Sequence, residues 1–236
     1  MRILITNDDG KNAEQLPPLI EFCKSLGEVF VVVPKFEQSG KSHGIELHKP
    51  FEAIKETKYG VTFWSVDSTP ADCVRFAILG LKENFDLVIS GVNRGLNLGI
   101  DMIYSGTVSA ACEASNLGVN AISLSVAPEN YEIATKELTN VFNYFFENDL
   151  LKKHGLYNVN IPKDPKGFKF THQGGPYYSD DFVNVGNDMY KPCGKCVYER
   201  SDDLTIDTDA VMLGYVSITP LTIDKTDFRI FESLSE

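Results

Sequence analysis

The sequence predicts an α/β protein built on a doubly wound, mostly parallel sheet. Short apolar runs recur at residues 3–6, 29–33, 85–90 and 121–126, as strands buried on both faces should. Helix-period segments alternate with them near residues 16–26, 70–82 and 107–117, and a longer one lies near 132–152. Strand–helix–strand repetition packs as parallel crossover units, and the loops at the carboxyl ends of such strands are where a site belongs.

Each element has a local reason. Met1-Arg2-Ile3-Leu4 enters the first strand directly, with no charged leader, long apolar stretch or cleavage signal, which reads as a cytoplasmic chain. That strand ends in Asn7-Asp8-Asp9-Gly10. At Thr69-Pro70-Ala71-Asp72 a capping residue, a proline at the first helical position and an acid in the first turn mark a helix start. Gly118 follows the third helix, as a glycine just past a helix end should.

Past residue 155 the character changes. Residues 157–161 and 168–173 read as strands, 174–209 form a polar stretch with little helical periodicity, and 214–221 resume a strand. The expected division is residues 1–155 as the core carrying the site and 156–236 as a smaller β-rich portion.

Composition narrows the function classes. The 33 acidic and 22 basic residues leave a net charge of −11, which would repel a polyanion, so a nucleic-acid polymer is not an expected partner. No apolar run approaches the roughly 20 residues of a membrane helix. The five cysteines form no obvious disulfide framework. Cys193-Gly194-Lys195-Cys196 lacks a second ligand pair for zinc and reads as a reduced turn.

The unusual polar residues fall at strand ends. Asp8 and Asp9 follow the first strand, Gln38-Ser39-Gly40 the second, and the stretch from Ser90 to Gly99, with Asn93 and Asn97, the strand beginning at Phe85. In a parallel sheet these loops open on one edge. Two carboxylates, a hydroxyl and an amide carbonyl are all oxygen donors, the set preferred by one hard divalent cation such as Mg²⁺, Mn²⁺ or Ca²⁺. Adjacent strand residues point to opposite faces, so Asp8 and Asp9 can share an ion only where the strand ends. Gly10 permits the sharp turn. Taken singly, an Asp pair is a helix cap or solvated turn, Ser39 a turn serine, and Asn93 and Asn97 left-handed turn residues. Their common edge favours the functional reading. Beside them, Tyr104-Ser105-Gly106-Thr107 leads into a helix whose N-terminus suits a phosphate.

These stretches resemble the SurE (survival protein E) nucleotidases. The matching segments are ILITNDDG, QSG, STPADCV, DLVISGVNRGLNLGIDMIYSGTVSAACEA, YNVNIP and GYVSITPL, in the family's order over nearly the whole chain. The resemblance implies a metal-dependent phosphatase acting on nucleoside monophosphates. It implies Asp8, Asp9, Ser39 and Asn93 as metal ligands, with Asn97, Ser105, Gly106 and Thr107 around the phosphate. Catalysis would then fall to Asp8, Asp9, Asn97, Ser105 and Thr107. It further implies a Rossmann-like core, a protruding β-hairpin, and a C-terminal arm exchanged within a homodimer or homotetramer. The chain departs from the family after NDDG, at Arg94 and across residues 174–209.

Rival readings fit less well. A phosphatase with an aspartyl nucleophile wants acids two apart, and Gly10 stands two after Asp8. A non-catalytic receiver-like regulator needs a lysine after a late strand, where Ala127-Pro128-Glu129 stands instead. A non-catalytic nucleotide-binding module explains the anion cradle but not the crowded carboxylates. The four histidines are scattered, and His43 reads as a surface-loop residue. Trp64 and the aromatics of residues 142–146 read as core or interface. Asp180-Asp181 and Asp202-Asp203 read as solvated turns, and Tyr177 and Tyr178 as base-stacking or packing residues.

Overall fold

The computed structural model describes residues 1–128 and 133–234. Glu129 and the expected helix start at Glu132 therefore lie outside the described residues. The chain opens with β1 (Arg2–Thr6), α1 (Leu16–Lys24) and β2 (Glu28–Pro34). An edge pair follows, β3 (Ala53–Lys58) and β4 (Val61–Val66). Then come α2 (Pro70–Arg75), β5 (Leu87–Arg94), α3 (Gly106–Asn116), β6 (Asn120–Val126), α4 (Ile133–Glu147) and α5 (Leu150–Lys153). The last part holds β7 (Leu156–Ile161), β8 (Phe168–Phe170), β9 (Tyr178–Gly186), β10 (Met189–Cys196), α6 (Asp207–Met212), β11 (Val216–Pro220) and α7 (Phe228–Leu234).

A nine-stranded sheet in the order β3-β4-β2-β1-β5-β6-β7-β11-β8 carries the fold. Its centre, β4-β2-β1-β5-β6-β7, is parallel throughout, while β3 and β11 run antiparallel to β4 and β7. The alternation of side chains along β1 feeds both faces. Ile3 and Ile5 join a core with Leu19 and Ile20 of α1 and Val141, Phe142 and Phe145 of α4. Leu4 joins a second core with Cys73 and Val74 of α2 and Ala110, Ala111 and Ala114 of α3. A strand buried on both faces has no polar side to show water, which is why these runs read as unbroken apolar stretches. Strands on either side of residue 155 share the one sheet.

Several elements differ from the sequence expectation. The antiparallel edge formed by β3 and β4 was not anticipated, because β3 is largely exposed and carries Lys55, Glu56, Thr57 and Lys58 rather than an apolar run. The helix expected over 70–82 changes to a π-helical turn at Phe76–Gly80. The one expected near 132–152 breaks into two at Asp149, which has a left-handed φ of 51°. The strand expected over 168–173 stops at Phe170, and only His172 bridges Ile206 beyond it. The polar stretch 174–209 is mostly the antiparallel hairpin of β9 and β10. Cys193–Cys196 is thus part of a strand and not a turn, both thiols being free, and Asp180 and Asp181 pair with Gly194 and Cys193. Cross-strand pairing supplies the order that composition hid. The hairpin exposes Phe182, Val185, Met189 and Tyr190, and α7 exposes Phe228, Phe231 and Leu234.

Candidate functional site

The carboxyl ends of β1, β2 and β5, neighbours in the sheet, open into a cleft of about 470 Å³. Asp8, Asp9, Ser39, Asn93, Asn97 and Ser105 all line it, so the loops converge as parallel topology requires. Gly106 and Thr107 lie just behind this wall.

The turn carrying the two carboxylates is closed by Asn7. Its Oδ1 accepts the Gly10 amide at 3.0 Å, and its Nδ2 donates to the Gly10 carbonyl at 3.1 Å. Gly10 has φ +85°, and a Cβ there would sit 3.0 Å from the Phe36 carbonyl carbon, so glycine meets both demands. Behind the turn, the N-terminus of α3 presses on Asp8. Thr107 is fully buried, and its hydroxyl donates to Asp8 Oδ1 at 2.5 Å. A Thr107→Val substitution keeps shape but removes this donor from a carboxylate. It is expected to cost about 1.5–3 kcal/mol in urea unfolding above pH 7, whereas Thr107→Ser costs less.

Gly106 is required by proximity. A Cβ there would lie 3.0 Å from Asp8 Cβ and 3.1 Å from Pro70 Cγ. Gly106→Ala is therefore expected to push Asp8 out of place, with a loss of about tenfold or more in whatever reaction the cleft catalyses while far-UV circular dichroism stays unchanged. Ser105 caps α3, its Oγ accepting the Val108 amide at 3.1 Å.

Asn93 reaches the cleft because β5 shifts register against β6 between Ser90 and Asn93, and its Nδ2 donates to the Gly95 carbonyl at 2.9 Å. Asn97 is held from three directions. Its amide donates to Asn160 Oδ1, its carbonyl accepts from Asn158 and Asn160, and its Nδ2 donates to Ser125 Oγ, all within 2.7–3.0 Å. Ser39 Oγ donates to Glu37 Oε1 at 2.8 Å.

Sequence reasoning left out several residues of this site. Glu37, Asp101 and Tyr104 also line the cleft. Asn158 and Asn160, fully buried on β7, fix Asn97 from below; two asparagines inside an apolar strand were the available signal. Asp207 accepts the Gly99 and Gly174 amides at 2.8 and 2.9 Å and ties α6 to the Asn97 loop. His43 lies exposed in a loop, as expected, and has a partner there: its Nε2 lies 2.8 Å from Glu113 Oε2, whose other oxygen accepts from Arg75. This holds the Ser39 loop against α3 and α2.

The electrostatics are unusual. Burial raises the Asp8 carboxyl above its ordinary value, against the opposing Thr107 hydrogen bond. Burial, then the charges of Asp8 and Glu37, push the Asp9 carboxyl up to about 6. Asp9 Oδ2 is buried without a hydrogen-bond partner. Among the described residues no group of three or more His, Cys, Asp or Glu side chains could hold a metal ion, so a cation here would rely on hydroxyl and amide oxygens besides the two aspartates.

Comparison with known proteins gives the family. The family model described as "Survival protein SurE" matches residues 3–180. The chain belongs to the SurE family. A SurE relative from Natranaerobius thermophilus called 5'-nucleotidase SurE is 37% identical, over 100% of this chain and 98% of its own length. Another of that name from Thermoanaerobacter sp. is 39% identical, over 100% and 97%. The crystal structure of the SurE protein from Aquifex aeolicus superposes with a TM-score of 0.80 at 31% identity, covering 100% of this chain and 98% of that one. The α/β fold expected from the SurE resemblance, hairpin included, is the fold observed.

Proposed function

We propose that this chain is a metal-dependent nucleotidase that hydrolyses nucleoside 5'- and 3'-monophosphates to nucleoside and phosphate. The observation that carries the reading is Asp9 Oδ2, a buried carboxylate oxygen with no protein partner, beside a second buried aspartate in an open cleft. Such an arrangement is costly unless a cation completes it. The donors fit one hard divalent ion, Mg²⁺, Mn²⁺ or Ca²⁺, held by Asp8, Asp9, Ser39 and Asn93. When bound, the ion supplies Lewis acidity toward a phosphoryl oxygen and makes water a stronger acid.

The chain's own groups do the rest. Asp8 or Asp9 orients the attacking water and takes its proton. Thr107 holds Asp8 in place. Asn97, Ser105 and the amides at the start of α3 around Gly106 and Thr107 stabilise charge on the transferring phosphoryl group. The division into a site-bearing core at 1–155 and a β-rich remainder belongs to the same reading. So does assembly as a homodimer or homotetramer in the cytoplasm, through the apolar residues exposed on the hairpin and α7. No helix among the described residues is long and apolar enough to cross a membrane.

The test is phosphate release from AMP and 3'-AMP with Mn²⁺, and again after EDTA. Release that depends on the added ion supports the reading, and release from neither nucleotide under any divalent ion refutes it. Full activity surviving exhaustive chelation would refute the metal's part in it.

A further inference from the structure

A second hollow of about 420 Å³ adjoins the catalytic cleft and shares Asp101 and Tyr104 with it; Tyr178, Asp180 and Gly194 complete its wall. From this continuity we infer that Tyr104 and Tyr178 form the cradle for the nucleoside of the substrate. The inference rests on the nucleotidase reading and deepens it. A phosphate at the helix N-terminus must send its ester oxygen, and the group attached to it, into space that opens directly from the cleft.

Both rings are available for stacking. Tyr104 is 52% exposed and Tyr178 55% exposed, although each sits at the rim of a concave surface. They come from separate parts of the chain but are tied by one side chain. Tyr104 ends the short 3-10 helix Gly99–Tyr104, and Asp101 on that helix accepts the Tyr177 and Tyr178 amides at 3.0 and 2.9 Å. The root of the hairpin is thereby fixed to the cleft wall. The Tyr177 ring packs edge-on against Tyr178 with centroids 4.9 Å apart, and in turn stacks on Tyr198. An aromatic face accepts any base, and the Asp180 carboxylate at the edge favours one carrying an amino group.

The cradle selects nucleosides over leaving groups without a flat ring. The experiment compares kcat/KM for AMP with that for glycerol 2-phosphate under the same Mn²⁺ concentration. In wild type the ratio favours AMP. In Tyr178→Ala and Tyr104→Ala it falls by about five- to a hundredfold, the loss carried by KM for AMP, whereas Tyr178→Phe and Tyr104→Phe hold it. Saturation-transfer NMR with adenosine, which lacks the phosphate, shows contact in wild type and loses it in both alanine variants. A ratio unchanged in both alanine variants, or equal to one in wild type, overturns the cradle while leaving the nucleotidase reading intact. If wild type hydrolyses neither ester, the reaction assignment fails and the cradle with it.

Discussion

Asp9→Asn is expected to cut phosphate release from AMP by about a thousandfold or more while making the metal-free protein more resistant to heat. Both effects have one cause. In wild type the half-buried Asp9 carboxylate faces the charges of Asp8 and Glu37 with one buried oxygen unpartnered, so its ionised form is disfavoured in the absence of a cation. Asparagine keeps the shape and removes the charge, which relieves the metal-free fold. On the proposed ligand set the same change takes an anionic ligand from the cation, which would supply several kcal/mol of transition-state charge stabilisation; about 4 kcal/mol corresponds to a factor near a thousand. Steady-state kinetics with Mn²⁺ and melting after chelation measure the two together. A variant as active as wild type would remove Asp9 from the ligand set.

Divalent cation is expected to raise the melting temperature, and to do so more at pH 7.5 than at pH 5. The sign follows from the raised Asp9 carboxyl. In the metal-free protein it holds its proton up to about 6, while in the unfolded chain it has lost it by about pH 4. Between those values the folded state binds the extra proton, so metal-free stability falls as pH rises through that window. A cation replaces the proton, and its benefit grows over the same range. At a hundredfold excess over its dissociation constant it contributes about 2.7 kcal/mol, or about 5–10 °C for a chain of this size. Calorimetry at the two pH values, with and without Mn²⁺, reads this directly. An equal shift at both would show that the ion does not compete with a proton at Asp9.

Much of this fold is legible along the chain. The central strands are apolar on both faces, so their runs stand out, and the cap at Thr69 is where the sequence puts it, its side chain accepting the Asp72 amide at 3.1 Å. The cleft was legible because parallel strands send their carboxyl-end loops to one edge, which brings Asp8, Ser39 and Asn97 together from distant positions. β3 and the strands of the hairpin, which only the family resemblance implied, were not legible from their own residues, since an exposed strand has no unbroken apolar run and its order comes from hydrogen bonds to a neighbour.

Residue types and local patterns sufficed for the family resemblance, for the parallel core and for the list of candidate oxygen donors at the strand ends. Only the tertiary structure decided that Thr107 braces Asp8, that Asn158 and Asn160 hold Asn97, that Asp101 moors the hairpin root to the cleft, and that Asp9 keeps a buried oxygen without a partner. The contacts are meetings between residues tens of positions apart, and the orphaned oxygen is set by the neighbours that bury it. Burial and hydrogen-bond satisfaction belong to pairs in space, and no local pattern in a chain encodes which pair will form.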